Sequence, residues 1–397
     1  MWLFLVLGCL MLHAINAEEF RIKRHLNPQE FMSVDEIIQY WNYPSEEYEI
    51  LTDDGYYLQI NRIPYGINGP GNKGDNGTKL TVLLQHGLSL EGRSWIANLP
   101  SNSLGFVLAD AGYDVWILNS RGTTWSRRHQ NLSTYEEEFW NFSFHEMGMY
   151  DVPAAINFIL QETERDGLCY IGHGQGGSLG LIAFSAMPEI AQKVKLFIAL
   201  APSYSLVNSK GLAYELFVMP ENFRRIIWGN KEYSLLSNTM KTFTAKACSY
   251  AVIDRLCLFS IFLSYGFNEK NLNVSQADSY LGIYPDFTSV KTVSHWGQIA
   301  RSNKFKYFNY GSKNKAVYNT TTPPFYRIED MTVPTAVWSG GKDIAINKTD
   351  TELLLHRMSH LVFYKNIPDW EHMDYIFGLD APVRLYPDIL ALLQKYK

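Results

Sequence analysis

Short apolar, β-branched runs recur along the chain, separated by amphipathic stretches. Runs that are apolar on both faces suit strands buried between two layers of helices, so the alternation predicts an α/β fold with a mostly parallel sheet and helices on both faces. Strands are expected at Leu80–Gln85, Tyr113–Leu118, Leu168–Gly172, Lys195–Leu200, Thr335–Trp338 and Val362–Ile367. Helices fill the gaps. One spans Val152–Thr163 with Pro153 in its first turn, where a missing N–H costs nothing, and another spans Gly177–Ala186 and stops before Pro188. Between Pro202 and about Tyr326 the alternation fails; the segment is aromatic, helical in places, and holds Pro220 and the Cys248/Cys257 pair. It reads as an insertion. Residues 18–202 and 326–397 then form one α/β core, and residues 203–325 form a helical cap over the sheet.

Residues 1–17 read MWLFLVLGCLMLHAINA, an apolar run that ends in small residues before Glu18-Glu19. This suits a cleaved secretory signal, although a basic n-region is missing. As a membrane anchor the run is too short and is interrupted by Gly8, His13 and Asn16. Leu256–Phe267 is apolar but shorter still, so no transmembrane segment is expected. The mature chain is expected in the extracellular space or the lysosomal lumen. At 46% hydrophobic and 19% charged residues the chain has ample material for a core, and a net charge of −5 offers no basic footprint for nucleic acid.

An oxidising lumen sets the expectations for the cysteines and sequons. Cys248 and Cys257 close a short loop as a disulfide, whereas Cys169 lies in an apolar strand as a buried free thiol. Neither spacing is a metal site, and no cofactor is implied. Of the N-x-S/T sequons, Asn76, Asn131, Asn273, Asn319 and Asn347 are glycosylation candidates, while Asn141, among Phe139, Trp140, Phe142 and Phe144, reads as too closely packed.

Two motifs compete for Gly172-His173-Gly174-Gln175-Gly176-Gly177, where a strand runs into a helix. Read as G-x-G-x-x-G, it would cradle a dinucleotide, but the next strand ends Ala199-Leu200-Ala201-Pro202 without the acid that holds the ribose. Read as G-x-S-x-G, it is a nucleophile elbow complete except for its serine. The remaining parts follow in the order that a hydrolase requires. Asp343 comes in the turn Gly340-Gly341-Lys342-Asp343, His372 after the last strand, and Gln85-His86-Gly87-Leu88 stands where an oxyanion loop belongs.

These residues, with Tyr40-Trp41-Asn42-Tyr43-Pro44, Asn61-Arg62-Ile63-Pro64-Tyr65-Gly66, Ala111-Gly112-Tyr113-Asp114-Val115-Trp116, Asn119-Ser120-Arg121-Gly122 and His372-Met373-Asp374, give the chain a resemblance to the acid lipase family of α/β-hydrolases. The resemblance covers nearly the whole mature chain. It implies hydrolysis of ester lipids, Asp343 and His372 as triad members, backbone amides of Leu88 and Gln175 as oxyanion donors, and a mobile cap with a Cys248–Cys257 disulfide.

The departure falls on the nucleophile. Gly174 stands at the family's serine position and offers no side chain, so no acyl-enzyme forms there. Loss of a triad serine leaves only the oxyanion hole and binding, on the order of 10³–10⁴-fold over water. Ser178, one helical turn along, and Ser89 are the loose candidates for a substitute. Three readings follow: an impaired acid-lipase-like protein, a weak ester hydrolase working through a water activated by His372, and a non-enzymatic lipid binder. Phe217, Met219, Phe223, Ile226 and Trp228 form an apolar stretch through which the cap could meet a lipid interface, and His86 and His173 are expected to shape the pocket.

Overall fold

The computed structural model describes residues 28–69, 79–237, 240–242, 244, 254–266 and 268–397. The expected signal (1–17), the sequon at Asn76 and Cys248 of the expected disulfide lie outside the described residues.

A nine-stranded sheet organises the chain. Its strands are β1 (Glu46–Leu51), β2 (Tyr56–Ile63), β3 (Thr81–Gln85), β4 (Asp114–Leu118), β5 (Arg128–His129), β6 (Leu168–His173) and β7 (Val194–Leu200); after a two-residue ribbon of β8 (Glu232–Tyr233) and β9 (Thr288–Ser289), β10 (Thr335–Gly340) and β11 (Leu361–Ile367) complete it. The order is β1-β2-β4-β3-β6-β7-β10-β11, with β5 beside β2. From β4 to β11 every pairing is parallel, and these are the strands that the apolar runs predicted. The antiparallel edge of β1, β2 and β5 was not predicted. Glu46–Leu51 alternates charged and apolar residues because one face is exposed, so it lacks the continuous apolar signal of a doubly covered strand.

Register decides where chemistry can gather. Gln85 pairs with Gly172 and Leu118, His173 with Leu200, Leu200 with Trp338, and Gly340 with Ile367. The loops that begin at His86, Asn119, Gly174, Ala201, Gly341 and Pro368 therefore leave the sheet along its carboxyl edge, where open α/β sheets build their sites. Cys169 is a buried free thiol in β6, as expected, and burial pushes it up to about 12.

Behind that edge lies a buried charge cluster. Arg121 is fully buried, donates from Nε to Asp151 Oδ1 at 2.7 Å, pairs with Asp54, and stacks 4.0 Å over the Tyr56 ring. It ties the β4 loop to the β1–β2 turn and to the helix Val152–Thr163, which is the helix predicted.

Between β7 and β10 the chain is mainly helical. Leu212–Val218, here α1, is followed by Glu221–Trp228, here α2, which is turned inside out relative to an ordinary surface helix. Arg224 of α2 is 1% exposed and donates to the carbonyl oxygens of Leu216, Phe217 and Met219, closing the end of α1, while Phe223, Ile226 and Ile227 are 62%, 80% and 56% exposed. Lys241 and Asp286 form a buried 2.8 Å ion pair, and Asp286 also accepts from Thr124, fastening this segment to the core. One expectation is corrected: Asn141 is exposed, since its aromatic neighbours turn inward and its amide meets only Glu138 and Lys291.

Replacing Arg121 by Met is expected to cost about 3–5 kcal/mol, because Asp151 would remain buried without its cation. The shift of the urea unfolding midpoint measures this.

Candidate active site

The strand β6 turns into the helix Gln175–Ala186, here α3, within a single residue. That turn is Gly174, at φ 51° and ψ −118°, a conformation that costs a residue with a Cβ about 1–3 kcal/mol. Crowding explains the flanking glycines: a Cβ on Gly172 would stand 2.5 Å from the Gly176 carbonyl, and one on Gly176 would stand 2.3 Å from the Gln85 carbonyl. The crossing therefore holds the first turn of α3 hard against the loop after β3.

His372 faces this turn. A Cβ on Gly174 would lie 2.9 Å from His372 Nε2 and 3.8 Å from Gly87 Cα, so the imidazole has settled into space that a side chain at 174 would share. Its Nδ1 lies 2.8 Å from Asp343 Oδ2, while Asp343 Oδ1 accepts from the amides of Ala345 and Ile346 at 2.9 and 2.7 Å. With Nδ1–H donated to the carboxylate, the neutral ring presents a lone pair on Nε2, which has no partner among the described residues. Tyr265 stacks on the ring at 5.3 Å and 17°.

Two further histidines shape the site. His86 Nε2 accepts from the Ser120 amide at 3.1 Å and its Nδ1 donates to the Gly87 carbonyl at 2.9 Å, so the neutral tautomer satisfies both atoms. Burial pushes this ring down to about 4. His173 Nε2 donates to the His372 carbonyl at 2.9 Å, which fixes the backbone that carries the facing ring, while His173 Nδ1 is buried without a partner.

A cavity of about 40 Å³ opens between these groups and α1, lined by Leu88, Gln175, Leu206, Phe217, Trp296 and Ile346 among others, and, among the described residues, by no Asp, Glu, Lys or Arg. The amides of Leu88 and Gln175 have no acceptor among the described residues; that of Gln175 opens a helix and has no intrahelical partner. The Gln175 side chain is held by Trp296 Nε1 at 2.8 Å.

Ser178 and Ser89 do not meet His372. Ser178 Oγ donates to the carbonyl oxygens of Ser203 and Gly174, and Ser89 does not line the cavity. Phe217 lines the cavity, Trp228 packs on Tyr233, and Phe223 and Ile226 face outward. Tyr265 and Trp296 escaped the sequence reading; Tyr265 sits in the apolar run Leu256–Phe267, whose composition says nothing of what it faces. Among the described residues no group of three or more His, Cys, Asp or Glu is placed to hold a metal ion.

Comparison with known proteins decides the family. The model of the alpha/beta hydrolase fold matches residues 81–379, and that of the partial alpha/beta-hydrolase lipase region matches residues 34–99. Human lysosomal acid lipase/cholesteryl ester hydrolase is 45% identical over 98% of both chains, and human gastric triacylglycerol lipase is 42% identical over 100% of both. The chain belongs to the acid lipase family. Human lipase member M, another relative, is 43% identical over 100% of this acid lipase homologue and 93% of its own length. A crystal structure from Sulfolobus solfataricus shares the fold alone, with a TM-score of 0.61 at 12% identity over 89% of this chain and 94% of that one. No helix among the described residues of this family member is long and apolar enough to cross a membrane.

Two outcomes are expected from this geometry. Gly174→Ala should lower the stability to unfolding by about 1–3 kcal/mol, since the new Cβ meets both backbone strain and His372. Because the folded state holds His86 below its unfolded value near 6.5, its contribution is complete above pH 6.5 and is lost as the pH falls toward about 4. Thermal scans should show His86→Gln losing less stability than the parent chain between pH 6.5 and 4.5.

Proposed function

We propose that this chain is an acid-lipase-like protein of lipid metabolism that retains the family's hydrolytic site without its nucleophile. The observation that carries this reading is Gly174 at the elbow, facing Nε2 of a histidine already oriented by Asp343. In this reading Asp343 and His372 are the remaining triad members, and the amides of Leu88 and Gln175 are the oxyanion donors. With no hydroxyl, general-base action by His372 has no protein nucleophile to activate, so ester turnover is absent or feeble.

The relatives supply the lipid class: their names specify cholesteryl esters and triacylglycerols, so carboxylic esters of that kind are the proposed ligands. The cavity holds only about 40 Å³, room for roughly three waters, whereas an acyl chain requires a site of several hundred Å³. Residues 203–325 therefore act as a cap that shifts to admit lipid, and the outward Phe223, Ile226 and Ile227 of α2 give it an apolar face for a lipid surface. A secreted or lysosomal location, reached through a cleaved signal at 1–17, agrees with the lysosomal and gastric relatives. There Cys248 and Cys257 would pair, and glycans would attach at Asn76, Asn131, Asn273, Asn319 or Asn347.

The test is ester hydrolysis by the purified chain beside Gly174→Ser and Gly174→Ser/His372→Ala, at acidic and neutral pH. The parent should run at least about 10³-fold below the serine variant, and the double variant should return to the parent level. Turnover by the parent that is lost with His372→Ala would instead establish attack by a water activated at His372 and overturn the reading.

A further inference from the structure

We infer that the site, with glycine at its elbow, binds the free carboxylic acid head of a fatty acid in preference to an ester, an inference that rests on the reading above. His372, Leu88 and Gln175 line the cavity; His372 Nε2 carries the lone pair left by the Nδ1 bond to Asp343, the two amides have no acceptor among the described residues, and Gly174 contributes no side chain beside the ring. A carboxylic acid matches this set. One oxygen accepts from the two amides, and the other carries a proton that it shares with Nε2. Acid with neutral imidazole and carboxylate with imidazolium have the same composition, so binding requires no outside proton donor.

An ester cannot complete the arrangement. Its alkoxy oxygen only accepts, so against Nε2 it would set one lone pair against another. A serine at 174 removes the preference differently, because its hydroxyl donates to Nε2 and takes the place of the acid's O–H. Among the described residues no Asp, Glu, Lys or Arg lines the cavity; His173 lines it as well but donates its Nε2 to the His372 carbonyl, so His372 is the ring whose Nε2 faces Gly174. The hydrocarbon tail follows the apolar wall of Leu206, Ala213, Phe217 and Ile346.

The experiment titrates the full-length secreted chain with oleic acid and with methyl oleate, both below the concentration at which they aggregate, using native mass spectrometry and displacement of a fluorescent fatty acid. The same titrations are run on His372→Phe, with His372→Leu in reserve, and that with oleic acid alone is run on Gly174→Ser, each variant first shown to unfold in a cooperative thermal transition. Oleic acid should bind one to one and at least about tenfold more tightly than methyl oleate, the worth of one charge-assisted hydrogen bond. His372→Phe should remove that difference, and Gly174→Ser should bind oleic acid at least about tenfold more weakly than the parent does. Carboxyl-¹³C oleate should shift its resonance on binding to the parent and not to His372→Phe. Equal affinity for acid and ester, or a preference that survives His372→Phe, overturns the proposal, as does absence of oleate binding. Ester hydrolysis by Gly174→Ser stands apart from these outcomes, so the lipase-like reading can hold while the acid preference fails.

Discussion

The site depends on how closely the first turn of α3 approaches the end of β3. The Gln85 carbonyl lies so near Gly176 that no side chain fits between them, and this contact lets β6 turn into a helix over a single residue. The turn puts Gly174 at the carboxyl edge of the sheet, opens the Gln175 amide at a helix start, and keeps Gly176 hard against the carbonyls of Gln85 and His86. Parallel register then delivers Asp343 and His372 to the same edge from β10 and β11. None of this geometry requires a hydroxyl at 174. The strand-to-helix turn therefore stands without a side chain at 174, and glycine lowers the backbone strain that the position imposes.

Around this edge, charges are buried where they join separate elements. Arg121 binds the β4 loop to two other segments, Asp286 pairs with Lys241 and accepts from Thr124 after β4, and Asp374 accepts from Asn268 and Asn271 next to the loop that carries His372. Burial raises Asp374 to about 6, so its partners offset only part of the cost of desolvation. Such groups contribute position more than net stability.

The sequence was most legible where the physics is local. Continuous apolar runs mark doubly covered strands, and each expected strand lies within a residue or two of an observed one, while β1 and β2 alternate and gave no such mark. The order of elbow, Asp343 and His372 was readable because the fold requires it. Contacts made across the cap were not. Tyr265 reaches His372, and Trp296 reaches Gln175, through the folding of an irregular insertion, for which no period in the sequence carries information. Asn141 misled for a related reason: aromatic neighbours in sequence point inward while the asparagine itself faces out.

The smallness of the enclosed space has a kinetic meaning. On the proposed reading, in which residues 203–325 shift to admit lipid, the observed association rate levels off at the opening rate however much lipid is supplied. The same closure weakens apparent affinity in proportion to the fraction of open molecules. The bonds from the Thr124 amide and hydroxyl to Asp286, residues that do not line the cavity, would then set occupancy without touching the ligand.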